Sequence, residues 1–187
     1  WGFDYAQFTG TTGCERAAQA GLRCLFESGT WSNLRQLNRP AIIELVDETG
    51  LRHHLLVVQL TGERATLLLA GQRHELPLVD VGRLWFGKYL ALWSPPEFGE
   101  RMIRRGMRGA SVAWVRDTLA RNGLPRTTSP ASELFDTELE AQVKEFQRRH
   151  QLQDDGIVGK MTLVFLSSYS GNASAPVLSG STQAEVR

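Results

Sequence analysis

The feature that most constrains this chain is the pair Pro95-Pro96, which falls between two stretches of opposite hydrophobic rhythm. Neither proline has an amide hydrogen to give to a strand or helix, and each fixes its own φ near −65°. Regular structure is therefore expected to stop at about Trp93 and resume at about Arg101. Before the break, short β-branched and apolar runs alternate with turn residues. After it, apolar residues recur at spacings of three and four. The reading is an α+β chain: an antiparallel sheet plus helix over residues 1–95, an all-α part over 101–169, and a tail over 170–187.

In the first part, Cys14 to Phe26 has helical composition, interrupted at Gly21. Five strand-like runs follow: Pro40 to Val46, His54 to Leu60, Thr66 to Leu69, Arg73 to Pro77 and Tyr89 to Trp93. A short helical piece is expected around Val79 to Phe86. Asp47-Glu48-Thr49-Gly50, Thr61-Gly62-Glu63 and Gly71-Gln72 are turn chemistry, and connections this short imply antiparallel pairing.

In the second part, Val112, Val115 and Leu119 mark one face of a helix, with Ser111 as its expected N-cap and Gly123 as its stop. A loop through Pro125, Thr127, Thr128, Ser129 and Pro130 follows. Asp136 is placed to cap a second helix whose stripe is Leu139, Val143, Phe146 and His150. Asp154-Asp155-Gly156 breaks it, and Gly159 to Leu166 forms a third helix with Leu163 and Leu166 inward. The tail, rich in Ser, Gly, Ala and Thr and without apolar period, is expected to be disordered or loosely attached.

With 21 basic and 20 acidic residues the net charge is +1, which argues against bulk affinity for nucleic acid. No run approaches the roughly 18 apolar residues of a spanning helix, and no signal-peptide pattern is present. The chain opens on Trp1 rather than Met and is read as a piece of something larger, or a processed chain, whose membrane anchor lies outside it.

The run Phe135-Asp136, Val143, Phe146-Gln147, Leu152, Asp155-Gly156-Ile157-Val158-Gly159, Thr162 and Leu166 resembles the peptidoglycan-binding domain of the three-helix type. The likeness extends upstream through Val112, Val115, Leu119 and Gly123-Leu124, covering about Gly106 to Ser168. Leu139 and Gln142 depart from the family pattern, which has Thr and Ala there. The resemblance implies a wall-binding cleft at Asp155, Gly156, Ile157, Val158, Gly159 and Thr162. Physical chemistry agrees in part: glycine suits the tight turn at Gly156, and the first amides of a helix opening at Gly159 lack intrahelical partners. Trp114 lies off the apolar stripe and is a candidate for stacking on a sugar.

Joined to that module, Cys14-Glu15-Arg16-Ala17, Gly21-Leu22-Arg23-Cys24, Gly29-Thr30-Trp31 and Leu37-Asn38-Arg39-Pro40-Ala41 resemble the periplasmic region of the general secretion pathway protein A family (ExeA type). That resemblance implies a cytoplasmic ATPase and a membrane helix elsewhere in the full-length protein. It also implies a periplasmic part that binds peptidoglycan and helps the secretin of type II secretion assemble. The partners implied are peptidoglycan, a secretion-pathway partner protein B and the secretin, with multimers forming on the wall.

The first part is also similar to bacteriocin-processing cysteine peptidases of the C39 type. That likeness makes Cys14 the candidate nucleophile, Gln7 an oxyanion donor and His53 or His54 the base. The orienting acid is missing, since no Asp or Glu occurs between Arg64 and His74, and Asp80 stands at the wrong place in the pattern. Cys14, His53 and His54 are thus remnant candidates, and the reading is of a degenerate, non-catalytic domain. The cysteines have a competing use, since two cysteines in an exported domain usually pair. An unbroken helix would hold Cys14 and Cys24 about 15 Å apart, too far for a disulfide, whereas a break at Gly21 lets them meet. The bridge is the favoured use.

Adjacent His53 and His54 face opposite ways on a strand and do not make a metal site, so no metal and no cofactor is expected. Trp31, Trp85 and Trp93 read as core or domain-interface aromatics and not sugar platforms, His74 and His150 as exposed or edge residues, and the cluster Arg101, Arg104, Arg105 and Arg108 as a solvated face, with attraction of an anionic wall peptide or a partner as the alternative. Two rival readings remain: an active thiol peptidase targeted to the wall, and the binding fragment of a wall hydrolase.

Overall fold

A computed structural model describes residues 1–126, 132–169 and 175–179. The chain divides into two compact units, one of residues 1–92 with 174–187 and one of residues 93–173. The boundary falls at the end of the last strand, just before the paired prolines.

The first unit is a six-stranded sheet with helices. Its elements are α1 (Gly13–Gln19), β1 (Arg23–Ser28), α2 (Trp31–Leu37), β2 (Ala41–Val46), β3 (Arg52–Thr61), β4 (Arg64–Leu69), β5 (Gln72–Pro77), α3 (Leu78–Gly82) and β6 (Trp85–Trp93). Strand order is β1-β6-β2-β3-β4-β5. The strands β2 to β5 form an antiparallel meander, with Ile43 opposite Leu55, Val57 opposite Leu67, and Leu67 opposite His74. β6 does not add beside β5. It returns to the far side of β2, antiparallel, with Ala41 opposite Ala91. The core collects Leu25, Leu34, Leu37, Ile43, Val57, Leu67 and Ala91, each no more than 2% exposed.

Three local features differ from the expectation. The helix begun at Cys14 ends at Gln19, and residues 23–28 form a strand instead of helix. Gly21 sits at φ +75°, a left-handed turn that ends the helix and redirects the chain. A second helix, α2, lies in a stretch with no helical period. It starts with a reciprocal cap in which Thr30 accepts from the Asn33 amide and Asn33 accepts from the Thr30 amide. The helix expected at 79–86 is confined to Leu78–Gly82, because Trp85 and Phe86 already belong to β6. At Gly87, φ is +92° and an added Cβ would stand 2.7 Å from the Gly29 carbonyl oxygen, so only glycine fits this crossing.

The tail was expected to be disordered, and residues 175–179 correct this. Leu178 is 1% exposed, and its carbonyl accepts from the Leu60 amide. Asn38, left-handed at the end of α2, accepts from the amides of Leu178 and Ser179 at 3.0 and 2.8 Å. One apolar side chain and a set of backbone hydrogen bonds suffice to seat a segment whose composition alone reads as loose. The rest of the tail, 170–174 and 180–187, and the loop residues 127–131 lie outside the described residues.

The second unit contains α4 (Ala110–Arg121), α5 (Thr137–Arg149) and α6 (Lys160–Ser168). Its core is Ile103, Val112, Val115, Leu119, Phe135, Leu139, Val143, Phe146, Val158, Leu163 and Leu166. The periodic stripes therefore face inward as their spacing requires. Gly109, not Ser111, is the N-cap of α4; Ser111 lies inside the first turn and is buried. Asp136 caps α5 as expected, accepting from the Leu139 amide at 2.8 Å. Among the described residues no helix is long and apolar enough to cross a membrane.

Candidate functional site

The loop between α5 and α6 carries Asp155 to Gly159 of the residues expected to bind ligand; Thr162 follows in α6 and Trp114 lies in α4. The loop is built around Gln147, which projects from α5 and is 1% exposed. The Gln147 amide nitrogen donates to Asp155 Oδ1 at 3.0 Å, to the Ile157 carbonyl at 2.9 Å and to Thr162 Oγ1 at 3.1 Å. Its Oε1 accepts from the Gly156 amide at 2.9 Å. Asp155 Oδ1 also accepts from the Ile157 amide at 2.8 Å. Val158 exchanges both backbone groups with Ile103, at 3.1 and 2.8 Å, and the Gly159 amide donates to the Ile157 carbonyl.

This corrects the expected cleft. Gly156, Val158 and Thr162 are buried, and the amides of residues 156–159 are each used inside the unit. The position a Cβ would take at Gly156 lies 2.8 Å from Lys144 Cε and 2.9 Å from Glu140 Cγ, so neighbouring side chains already close over it. Of the set, Asp155 is exposed, and Ile157 and Gly159 are half-buried. Trp114 is half-buried too and meets Phe98 edge-to-face, with ring centroids 5.4 Å apart.

A second polar device, not foreseen from the sequence, holds the start of α5. Arg116 is 3% exposed; it donates to the Leu134 carbonyl at 2.8 Å, the Ser132 carbonyl at 3.1 Å and Asp136 Oδ2 at 3.0 Å. Partial burial opposes the Asp136 charge, but the Leu139 amide and the Arg116 guanidinium outweigh it and hold the carboxyl below its ordinary value. The signal available in sequence was an arginine on the apolar side of α4, one residue after Val115.

In the first unit, Cys14 and Cys24 are joined in a disulfide with Cα atoms 5.7 Å apart, and no cysteine is free. The sulfur that would serve as a nucleophile is spent in that bond. The two histidines each meet an acid. His53 Nε2 lies 2.7 Å from Asp47 Oδ2, and His54 Nε2 lies 3.8 Å from Glu44. The acid opposite His53 thus comes from the turn before its own strand, a place the sequence pattern did not indicate. Asp47 also accepts from the Thr49 hydroxyl and from the Thr49 and Leu51 amides; with His53 these bonds hold its carboxyl well below the usual carboxylate range. Among the described residues no group of three His, Cys, Asp or Glu is placed to hold a metal ion.

Trp85 is 7% and Trp93 2% exposed, and Trp85 stacks obliquely on Trp31 with centroids 4.2 Å apart. These are core rings and not sugar platforms. His150 is half-buried against Phe146, at 4.4 Å between centroids.

Over 171 residues the chain is 32% identical to general secretion pathway protein A of Aeromonas hydrophila, an alignment covering 91% of this chain and 30% of that one. It is 30% identical over 174 residues to putative general secretion pathway protein A of Escherichia coli (strain K12), covering 92% and 34%. The chain therefore spans about a third of the length of these relatives. Its fold matches, with a TM-score of 0.55 and 28% identity, a periplasmic domain of the EpsAB fusion protein of the Vibrio vulnificus type II secretion system, over 83% of this chain and 68% of that one. Residues 108–166, which hold α4, α5 and all but the last two residues of α6, match the putative peptidoglycan binding domain, so the chain is similar over most of its length to part of general secretion pathway protein A and over residues 108–166 to that domain.

Proposed function

We propose that the chain is a periplasmic, peptidoglycan-binding region that acts in type II secretion. In this reading the second unit holds the cell wall and the first is a non-catalytic scaffold that helps the outer-membrane secretin assemble. The observation that carries it is the match of residues 108–166 to a putative peptidoglycan binding domain, within a chain aligned over nine tenths of its length with general secretion pathway protein A. The full-length protein is tethered to the inner membrane in this reading, and works with a partner protein of the same pathway and with the secretin. Copies spaced along a repeating wall polymer gain avidity, which favours multimers. Ligand contact falls to outward groups: Asp155, Ile157 and Gly159 on the loop, and Trp114 on α4. The test is co-sedimentation with purified peptidoglycan sacculi, comparing the whole chain with one lacking residues 101–169. Retention only with that segment is the expected result, and equal retention without it refutes the assignment.

A second reading has one observation in its favour. His53 and Asp47 form an acid–imidazole pair at 2.7 Å, the arrangement a thiol peptidase uses to orient its base. Its sulfur is held in the Cys14–Cys24 bond. The scaffold reading predicts no thiol-dependent cleavage of peptides, with or without reductant; cleavage that appears on reduction and vanishes in Cys14→Ala would establish the peptidase instead.

A further inference from the structure

The run Arg101-Met102-Ile103-Arg104-Arg105-Gly106-Met107-Arg108 carries four positive charges and no acid. Its backbone is pinned at two places in the second unit. Ile103, 0% exposed, exchanges both backbone hydrogen bonds with Val158, in the loop before α6. Further on, the Gly106 amide donates to the Phe135 carbonyl and the Phe135 amide to the Met107 carbonyl, just ahead of α5. Between these anchors the chain turns: the Met107 amide donates to the Arg104 carbonyl, and Gly106 takes φ +90°. Ile103 and Val158 face inward, so their neighbours along the chain face outward. Met102 is 59% exposed, and Arg101, Arg104, Arg105 and Arg108 are exposed as well.

Antiparallel pairing about Ile103 and Val158 sets Arg104 beside Ile157 and Met102 beside Gly159. A few residues upstream, Phe98 lies edge-to-face on Trp114. This stretch of chain therefore connects the outward groups of the loop with the outward ring on α4. Its charge is only partly neutralised. Arg105 lies 3.6 Å from Glu140, which already holds Lys144 at 3.0 Å. Among the described residues, no acid forms an ion pair with Arg101, Arg104 or Arg108. The other acids of this surface are Glu100, Glu133 and Asp155. Residues 100–109, 133–134 and 155–160 together hold five basic side chains, Lys160 included, against those three acids, a net +2.

On the reading that the second unit holds the wall, we propose that Arg101, Arg104 and Arg108 bind the free carboxylates of the peptide stems of peptidoglycan. The wall is then recognised by its peptides and not by its neutral sugars. A guanidinium meets a carboxylate through two parallel N–H donors, a match in charge and shape that a sugar hydroxyl does not offer. Met102 and Ile157, between the arginines, give apolar surface to the alkyl side chains of the stem. The backbone that presents these groups is already fixed by its hydrogen bonds to residues 135 and 158, so binding need not order it.

The test is co-sedimentation of the whole chain with native sacculi and with sacculi whose carboxylates have been converted to amides by carbodiimide and ammonia. The triple variant Arg101→Gln/Arg104→Gln/Arg108→Gln should bind native sacculi about tenfold more weakly than the parent, roughly what two or three exposed charge-assisted contacts supply. The parent should lose as much on amidated sacculi, and the triple variant should bind both kinds alike. Raising salt from about 50 to about 300 mM should weaken the parent severalfold and the triple variant little. All three side chains are exposed, so unfolding midpoints should not move. The control Arg52→Gln/Arg73→Gln/Arg83→Gln removes the same charge from the first unit and should bind as the parent does. Equal binding by parent and triple variant, or by native and amidated sacculi, overturns the proposal and leaves the wall-binding reading standing. An equal loss in the control overturns it too, since net charge alone would then act. No retention of the parent on native sacculi overturns both. Binding to vesicles of phosphatidylethanolamine and phosphatidylglycerol that the triple variant loses, with sacculus binding unchanged, would give the patch to a membrane surface and also overturns the proposal.

Discussion

Replacing Gln147 with Leu tests whether the loop between α5 and α6 is held from within. Leucine keeps most of the volume and removes every hydrogen bond at the hub. The Gly156 amide, buried, loses its acceptor, and the Thr162 hydroxyl, 4% exposed, loses its partner at 3.1 Å. A buried polar group left unpaired costs about 1–3 kcal/mol. Asp155 keeps the Ile157 amide, so its loss is small. Two orphaned groups, partly offset by the added apolar surface, amount to a net loss of about 3 kcal/mol. In a unit of about 80 residues, each kcal/mol moves the melting temperature by roughly 4–8 °C, so the transition of the second unit should fall by roughly 15 °C. Calorimetry on the whole chain reads this directly, since the transition of the first unit should not move. A fall of less than about 4 °C would mean the network contributes under about 1 kcal/mol, and the account of a latched loop would be wrong. A Thr162→Val change should then add little in the Gln147→Leu background, because the partner of the hydroxyl is already gone.

Removing the disulfide by Cys14→Ser/Cys24→Ser should lower the stability of the first unit by about 2.7 kcal/mol in the chain-entropy model, read from the urea midpoint; thiol reagent should label the parent only after reduction. Gly87→Ala should destabilise by about 2–3 kcal/mol, since the new methyl meets a backbone oxygen that has no rotamer to escape into, whereas Gly50→Ala, where a Cβ meets nothing within 4 Å, pays only for its positive φ. Burial, aided by the Arg149 charge, lowers the His150 pKa, so the folded state binds its proton less readily than the unfolded chain. Stability should therefore hold above about pH 6.5 and fall as pH drops below it; His150→Gln should flatten that part of the urea-midpoint profile.

The strands from β2 to β5 were legible because their turns are written in local chemistry. Asp47 accepts from Thr49 and Leu51, and Gly50 and Gly62 take positive φ. The inward stripes of α4 and α5 were legible because 3.6-residue periodicity survives in them. β1 was not legible, since an alanine-rich helix runs directly into it and only Gly21 marks the change; pairing with β6 then decides the conformation. The start of α2 was hidden because Asn33 fills the role that Glu or Gln usually fills in a reciprocal cap. The division between units at residues 92 and 93 lies just before the two prolines, and the return of Leu178 to the first unit rests on contacts with Asn38 and Leu60 that no local pattern encodes.

The Asp155-Gly156 motif shows the limit most clearly. An acid and a glycine ahead of a helix read equally as a ligand loop and as a structural turn. The deciding residue is Gln147, eight positions before Asp155, and its burial is invisible in the motif. A loop whose amides are already satisfied does not recognise a ligand through them. It can still present Asp155, Ile157 and Gly159 in a fixed arrangement, so that binding need not pay to order the chain. Well below its melting temperature, Gln147→Leu separates these surfaces. If the wall is held by the outward groups of this loop, sacculus retention should fall while the protein remains folded. If Trp114 and the surface of α4 hold it, retention should persist until the unit unfolds.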